Sequence, residues 1–196
     1  MTIGNNSIFA IESYVKQAYE RLSFRALGFF VIYVGGCCYG VRKPDATFLA
    51  CSFTEVANRI SRRGQHIAPF INERNAGKIV EAVRGAKYAQ HNEHATFFGI
   101  PEPEFLDIIN LNQLEWAPDG DSAFDDGSSI LHFDVDNRVR LIAFKVASSG
   151  SNGYYVPGSL KDQWLDADEF YSILQRWRDA FEAEWTAMPK ISQNVT

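Results

Sequence analysis

The sequence predicts an α+β fold in a single domain, with a mostly antiparallel sheet, helices packed on it and a long amphipathic C-terminal helix. Segments rich in β-branched and aromatic residues occur in neighbouring pairs separated by turn residues, which is typical of antiparallel hairpins. Segments with helical periodicity stand apart from these pairs instead of alternating with them, as they would around a parallel sheet.

The length and composition favour one domain. The chain has 196 residues, of which 46% are hydrophobic and 14% aromatic. A chain of this size can bury one good core and is short for two. We therefore expect a single domain over residues 1–196, with its core between residues 8 and 188.

The first strands are predicted near the N-terminus. Residues 8–14 and 28–34 are rich in β-branched and aromatic side chains, and Gly35-Gly36 ends the second segment. Residues 38–41 would return beside it as an antiparallel hairpin. Residues 15–25 fit either a short helix or a polar loop, and the sequence does not decide between them.

Two helices are predicted in the middle of the chain. Ser52 and Glu55 have the spacing of a capping box, and the helix that they begin would end near Gly64. Residues 72–90 repeat apolar side chains at the spacing of an amphipathic helix, at Ile79, Val83 and Ala86.

The C-terminal third predicts a hairpin followed by the long helix. Residues 128–134 and 138–147 alternate like two strands joined at Asp136-Asn137, with Leu131, Phe133 and Val135 on one face. Asp166 and Glu169 form a second predicted capping box. Apolar residues then recur every three or four positions for roughly five turns, which predicts a helix lying on the sheet.

The composition also bounds localisation and partners. No stretch approaches the roughly 18 to 20 apolar residues that cross a bilayer, and the N-terminus lacks the pattern of a signal peptide. We therefore expect a cytoplasmic protein without a membrane partner. The net charge of −5 argues against nucleic acid as the main partner. The three cysteines, Cys37, Cys38 and Cys51, are expected to be reduced, buried thiols.

One acidic segment is the most unusual feature of the sequence. Residues 101–137 contain ten acidic residues and neither lysine nor arginine. Within it, WAPDGDSAFDDGS holds Asp119, Asp121, Asp125 and Asp126 beside Trp116 and Phe124. A calcium loop does not fit, because Ala123 and Phe124 stand where an acid and a glycine are needed. A plain pair of turns at Asp119-Gly120 and Asp126-Gly127, leading into the next strand, is the alternative.

Other candidate sites are weaker. His91 and His94 have a metal-ligand spacing but lack a third ligand nearby, so surface or helix-capping histidines are expected. A nucleophilic pair of one cysteine with His66 would depend on an arrangement in space that the sequence does not show. No phosphate-binding, serine-hydrolase or zinc-protease motif occurs. The sequence thus predicts no catalytic centre, no metal and no cofactor.

Several longer strings resemble one protein family. They are YVGGCCYGVRKPDATFLACSFTEVANRISRRGQHIAPF from Tyr33, FFGIPEPEF from Phe97, WAPDGDSAFDDGS from Trp116 and VRLIAFK from Val139. Together they resemble the immunity protein 42 family of bacterial polymorphic-toxin and contact-dependent inhibition systems, from Ile8 to about Met188. The resemblance implies a small cytoplasmic antitoxin that binds and blocks the toxic C-terminal domain delivered by a neighbouring cell. It implies no particular toxin and no contact residues.

Charge supplies a prediction for the contact surface. Many such toxins are nucleases, whose clefts are basic because they hold phosphates. We expect an acidic rim with two aromatic anchors to cover that cleft. The predicted partner-binding residues are Glu102, Glu104, Trp116, Asp119, Asp121, Phe124, Asp125 and Asp126.

Two alternatives from other classes stay open at this point. The first is a metal-dependent small-molecule hydrolase that uses the cluster from Asp119 to Asp126 with His91, His94 or His132. The second is a structural or oligomerising module, although the sequence favours a monomer.

Overall fold

The computed structural model of this chain describes residues 1–88, 94–116, 122–147 and 154–192. A short 3₁₀ turn spans Ser122–Phe124. In chain order the strands and helices are β1 (Thr2–Asn5), β2 (Phe9–Tyr19), β3 (Ala26–Val34), β4 (Cys37–Tyr39), β5 (Thr47–Phe48), α1 (Ala50–Ser61), α2 (Ala76–Tyr88), β6 (Thr96–Phe97), β7 (Ile100–Pro101), α3 (Glu102–Leu111), β8 (Ser128–Val135), β9 (Arg138–Lys145), β10 (Lys161–Asp166), α4 (Ala167–Ala187) and β11 (Lys190–Ile191).

The larger sheet contains the N-terminal strands. Its order is β1-β2-β3-β4, with β5 beside β3 and β11 beside β2. The pairings among β1 to β5 are antiparallel, and β11 runs parallel to β2. The predicted strands at 8–14 and 28–34 and the returning strand β4 are therefore confirmed.

Residues 15–25 combine a strand that the sequence did not predict with the polar loop that it allowed, because only residues 20–25 form a turn. Strand β2 continues to Tyr19, and its register with β3 shifts between Val15 and Gln17. Such a bulge inserts an extra residue and interrupts the two-residue alternation of a strand. The alternation by which a sequence reveals a strand is lost at that point, although Val15 and Ala18 still face the core.

The smaller sheet lies between two hydrophobic cores. Its order is β10-β9-β8, and β8 and β9 form the predicted hairpin. One face adds Ile130, Val139 and Leu141 to the first core, which also contains the larger sheet, α1 and α4. The other face packs against α2 and α3 through Leu131, Phe133, Val135, Ile142 and Phe144. Both faces are buried, so the smaller sheet positions the larger sheet, α1 and α4 on one side and α2 and α3 on the other.

Helix α2 confirms the helix predicted within residues 72–90, and it buries Ile79, Val83 and Ala86.

Helix α3 was not predicted. Pro103 lies in its first turn, where the missing N–H removes no hydrogen bond. Phe105 and Ile109 are its fully buried apolar residues, which is a weak periodic signal in a helix of 10 residues.

Helix α1 begins two residues before Ser52, so the capping box predicted there is wrong. The residue before its first turn is Leu49, and no side chain caps it. Ser52 is instead buried inside the first turns, and its hydroxyl has no hydrogen-bond partner. Glu55 pairs with Arg59 one turn later at 2.8 Å.

The long C-terminal helix is confirmed. The Asp166 carboxylate accepts a hydrogen bond from the backbone N–H of Glu169 at 3.0 Å, as an N-cap does. The helix lies on the larger sheet, where the Trp177 indole donates to the Ser13 hydroxyl at 3.0 Å. Among the described residues, no helix is long and apolar enough to span a membrane.

The three cysteines are unpaired, as the sequence predicts, but they are less buried than expected. Cys37 and Cys38 are half-buried at the β3–β4 turn, and Cys51 is exposed on α1. Cys51 lies on the solvent side of that helix because the buried side of α1 is taken by Ser52, Val56 and Arg59.

The two capping assignments give a matched stability test. Asp166→Ala removes the acceptor for the Glu169 N–H and should lower the free energy of unfolding by about 1 kcal/mol. Ser52→Ala should leave that free energy unchanged or raise it, because its buried hydroxyl makes no bond and alanine favours a helix. Urea denaturation of both variants and the wild type measures the difference. An equal loss in both variants would contradict the assigned helix starts.

Candidate functional site

Polar side chains are buried together in the first core. We call Arg59, His66, His132, Asp134 and Tyr171 the central cluster. They come from α1, the segment after it, β8 and α4, and each is buried. His132 and Asp134 alternate with Leu131 and Phe133 along β8, so strand periodicity directs them to the face opposite the second core.

Arg59 is the most connected member of the cluster. One terminal nitrogen lies 2.9 Å from His132 Nδ1, and the other donates to the carbonyl of Glu115 at 2.9 Å and pairs with Glu55. Its guanidinium also lies 4.9 Å from the centre of the Trp116 ring. Arg59 thus joins α1 to β8 and to the chain at residues 115–116.

The contact with Arg59 fixes the state of His132. Because a guanidinium only donates, Nδ1 of His132 must accept, and the ring is neutral with its proton on Nε2. Burial, with the positive charge of Arg59 beside it, lowers the pKa of His132 from 6.5 to about 3, although Asp134 acts in the opposite direction. Nε2 faces Asp134 Oδ1 at 3.4 Å.

Asp134 is the anionic member of the cluster. Burial alone would raise the pKa of its carboxyl, but the neighbouring His132, and then hydrogen bonds from Tyr171 and from backbone N–H groups, outweigh that effect and hold the pKa below its ordinary value. The donors are the Tyr171 hydroxyl at 2.8 Å and the backbone N–H groups of Gly64 at 2.8 Å and His66 at 3.2 Å. The carboxylate therefore ties β8 to α4 and to the turn after α1.

The central cluster is suited to holding elements together. Arg59, His132, Asp134 and Tyr171 are bonded to one another, whereas the His66 ring bonds the carbonyl of Asn112 and its Nε2 has no partner. Burial keeps solvent and solute from the His132 ring. Within the described ranges, no group of three or more His, Cys, Asp or Glu side chains could hold a metal ion. His91, which the hydrolase alternative used, lies outside the described residues, and His132 is bonded to Arg59.

The two predicted aromatic anchors lie in the core. Trp116 is 1% exposed and packs 6.0 Å from the Phe170 ring, and Phe124 is 6% exposed and packs 6.2 Å from the Phe30 ring. Their expected position on the surface therefore needs correction. In the sequence both rings stand in a polar segment, which suggests an exposed position. Their burial depends on residues far away in the chain, which the local sequence does not show.

The predicted carboxylates differ widely in exposure. Glu104 and Asp125 are exposed, Glu102 is buried at the start of α3, and Asp119 and Asp121 lie outside the described residues. Asp126 pairs with Lys145 at 2.7 Å. Burial opposes its ionisation, but the bonds from Lys145 and Ser128 keep the pKa of Asp126 below its ordinary value.

A second carboxylate of the acidic segment is neutralised by a lysine from another element, because Lys87 of α2 donates to the carboxylate of Glu115. The described carboxylates do not share one structural unit. Glu102 and Glu104 belong to α3, which packs on the second core, whereas Asp125 and Asp126 follow a turn packed on the first core.

The central cluster itself was missed by sequence reasoning. The one local signal is the spacing of Glu55 and Arg59, four residues apart on a helix. That spacing is typical of exposed ion pairs and does not reveal that Arg59 is fully buried. The histidines and Asp134 give no signal, since they meet Arg59 only in the folded chain.

Comparison with known proteins gives two matches. The family described as Immunity protein 42 matches residues 1–180. A solved structure described as the crystal structure of CdiI from Burkholderia dolosa AUO158 aligns with a TM-score of 0.57 and 16% identity, over 92% of this chain and 99% of that chain. At this identity the likeness concerns the fold alone. Among curated proteins no match is found.

We expect stability to fall as the pH is lowered from 7 to 5. The His132 imidazole binds a proton near pH 6.5 in the unfolded chain but only near pH 3 in the folded protein, so protons favour unfolding throughout that window. His132 alone should lower the free energy of unfolding by about 2 kcal/mol between pH 7 and pH 5. Urea denaturation at each pH measures this loss.

His132→Asn is the control, because it keeps an acceptor for Arg59 and removes the titrating ring. The variant should lose less stability over the same pH range than the wild type. Part of the slope should remain, since burial and then Arg59 also lower the pKa of His66. A wild-type stability that is constant from pH 7 to pH 5 would contradict the neutral, buried state of His132.

Proposed function

Since this chain belongs to the immunity protein 42 family, we propose that it protects its own cell by binding one cognate toxin domain and blocking it. The family match over residues 1–180 is the observation on which the proposal rests. An immunity protein acts as an antitoxin and not as an enzyme. The metal-dependent hydrolase is therefore set aside.

We propose further that the toxin is the C-terminal domain of a contact-dependent growth inhibition or other polymorphic toxin. The fold shared with a structure described as CdiI supports this assignment. Such a domain acts after delivery by a neighbouring cell, so the antitoxin would meet it in the cytoplasm. One chain per toxin domain is the expected stoichiometry.

The toxin that the charge distribution fits best is a nuclease. A nuclease cleft is basic because it holds phosphates. This chain has a net charge of −5 and no lysine or arginine between residues 101 and 137, and Glu104 and Asp125 in that region are exposed. Carboxylates facing a basic cleft would speed association and exclude the nucleic acid.

The first test is complex formation with a candidate toxin domain, taken from the C-terminus of the protein that the adjacent upstream reading frame encodes. Co-expression should yield a stable complex with one copy of each, and it should abolish the growth defect that the toxin domain causes alone. Sizing chromatography and growth curves measure the two effects. A toxin domain that neither binds nor is neutralised would refute the proposed function.

The second test neutralises the acidic segment. Asp119, Asp121, Asp125 and Asp126 are changed together to Asn. We expect a lower association rate constant and a weaker dependence of that constant on salt concentration, because long-range attraction to a basic cleft is reduced. Stopped-flow or surface-binding kinetics at several salt concentrations measure both.

A control variant with four other carboxylates neutralised separates the effect of the acidic segment from the effect of the total net charge. It changes four exposed acidic residues outside residues 101–137 to the corresponding amides, Asn for Asp and Gln for Glu, which are nearly isosteric and neutral. The control is Asp45→Asn, Glu81→Gln, Glu169→Gln and Asp179→Asn. The control should alter association less than the test quartet. Equal effects of the two quartets would show that the acidic segment has no special role.

A further inference from the structure

The contact surface of an antitoxin needs apolar side chains as well as charge, because a few buried apolar anchors supply most of the affinity of a protein interface. Trp116 and Phe124 are in the core and do not provide them. The large apolar side chain with the greatest exposure among the described residues is Leu111, at 70%, and Ile67 is 54% exposed.

Leu111 lies on the outward face of α3. Glu104, Asp107 and Leu111 follow one another at three and four residues, so they form one stripe on the helix. All three are exposed, and the opposite face is buried through Phe105 and Ile109. The helix therefore presents two carboxylates followed by an apolar side chain to solvent.

The segment around Ile67 extends this stripe. The Asn112 side chain donates to the carbonyl of Ile67 at 2.8 Å, just after the end of α3. Further along, the Phe70 ring packs 4.9 Å from Phe105, so residues 67–70 run beside the helix. We call Ile67, Phe98, Glu104, Asp107 and Leu111 the α3 surface.

Phe98 adds a strained, exposed ring to this surface. It stacks 5.2 Å from Phe70, is partly exposed, and has a φ of 54°. A bulky residue rarely adopts this left-handed conformation, because its side chain crowds the backbone. Strain held at an exposed aromatic residue is more common at binding sites than elsewhere.

A second apolar patch is the competing surface. Leu22 is 61% exposed at the turn between β2 and β3, and the Phe24 and Phe48 rings stack nearby at 4.6 Å. The guanidinium of Arg21 lies 4.8 Å over Phe24. Charges of both signs border this patch, since Glu20 is exposed beside Arg21. On the α3 surface the exposed carboxylates of Glu104 and Asp107 outnumber the one arginine at its edge, Arg62, which donates to the carbonyl of Leu111 at 2.6 Å.

Charge complementarity decides between the two patches. A partner with a basic cleft would be attracted more strongly to the α3 surface, where carboxylates are in excess, than to the Leu22 patch, where Arg21 offsets Glu20. We infer that the α3 surface is the contact for the cognate toxin, whose matching face has basic residues around a recess for Leu111 and Ile67. This inference rests on the proposed function and assigns its apolar anchors.

The test introduces Leu111→Asp and, separately, Ile67→Asp. Each adds a negative charge, which would strengthen binding if charge alone mattered. We expect each substitution to raise the dissociation constant for the toxin domain about thirtyfold or more, which is the effect of removing a central apolar anchor. Calorimetry gives the constant, and thermal unfolding should be nearly unchanged because both side chains are exposed. Leu111→Ser, with no added charge, should also weaken binding.

Leu22→Asp is the matched control, with the same change at similar exposure. It should bind like the wild type. Wild-type affinity of the Leu111 and Ile67 variants, or a loss confined to Leu22→Asp, would overturn the assignment while leaving the antitoxin function intact. A wild-type chain that does not bind the toxin domain would refute the proposed function, and with it this inference.

Discussion

The structure depends on one buried cation. Arg59 is fully buried, and an unsatisfied buried donor costs about 1 to 3 kcal/mol, more when it is charged. Its terminal nitrogens bind Glu55, the carbonyl of Glu115 and the ring of His132, and only its Nε has no hydrogen-bond partner. The positions of α1, β8 and the chain before the acidic turn are thereby set relative to one another. Removing Glu55, the carboxylate paired with Arg59, would leave a buried charge without its ion-pair partner, which is strongly destabilising.

A second buried arginine does the same on the other face of the smaller sheet. Arg140 donates to the carbonyls of Ile71 and Glu73 at 2.7 Å and holds the Asp162 carboxylate with two nitrogens. The sheet between the two cores is thus tied on both faces to the loops and helices around it. This rigidity suits a protein whose work is recognition, because a preformed surface loses little conformational entropy on binding.

The interior and the surface therefore have separate roles. The central cluster is buried, with His132 neutral and Asp134 ionised. The side chains that a partner could contact lie on the surface. On α3 two carboxylates and an apolar side chain, Glu104, Asp107 and Leu111, form one exposed stripe. Such a division is what an immunity protein requires, since it must occupy another protein and has no reaction to catalyse.

The sequence by itself determined the α+β class, the β8–β9 hairpin, the Asp166 cap and the family, because each depends on local pattern or on strings of adjacent residues. Only the tertiary structure decided the bulge in β2, the start of α1, the pairing of Asp126 with Lys145 and the burial of Trp116 and Phe124. These depend on partners distant in the chain. A residue's exposure is a property of its neighbours in space, so a sequence could locate the acidic segment but not the side chains that it leaves at the surface.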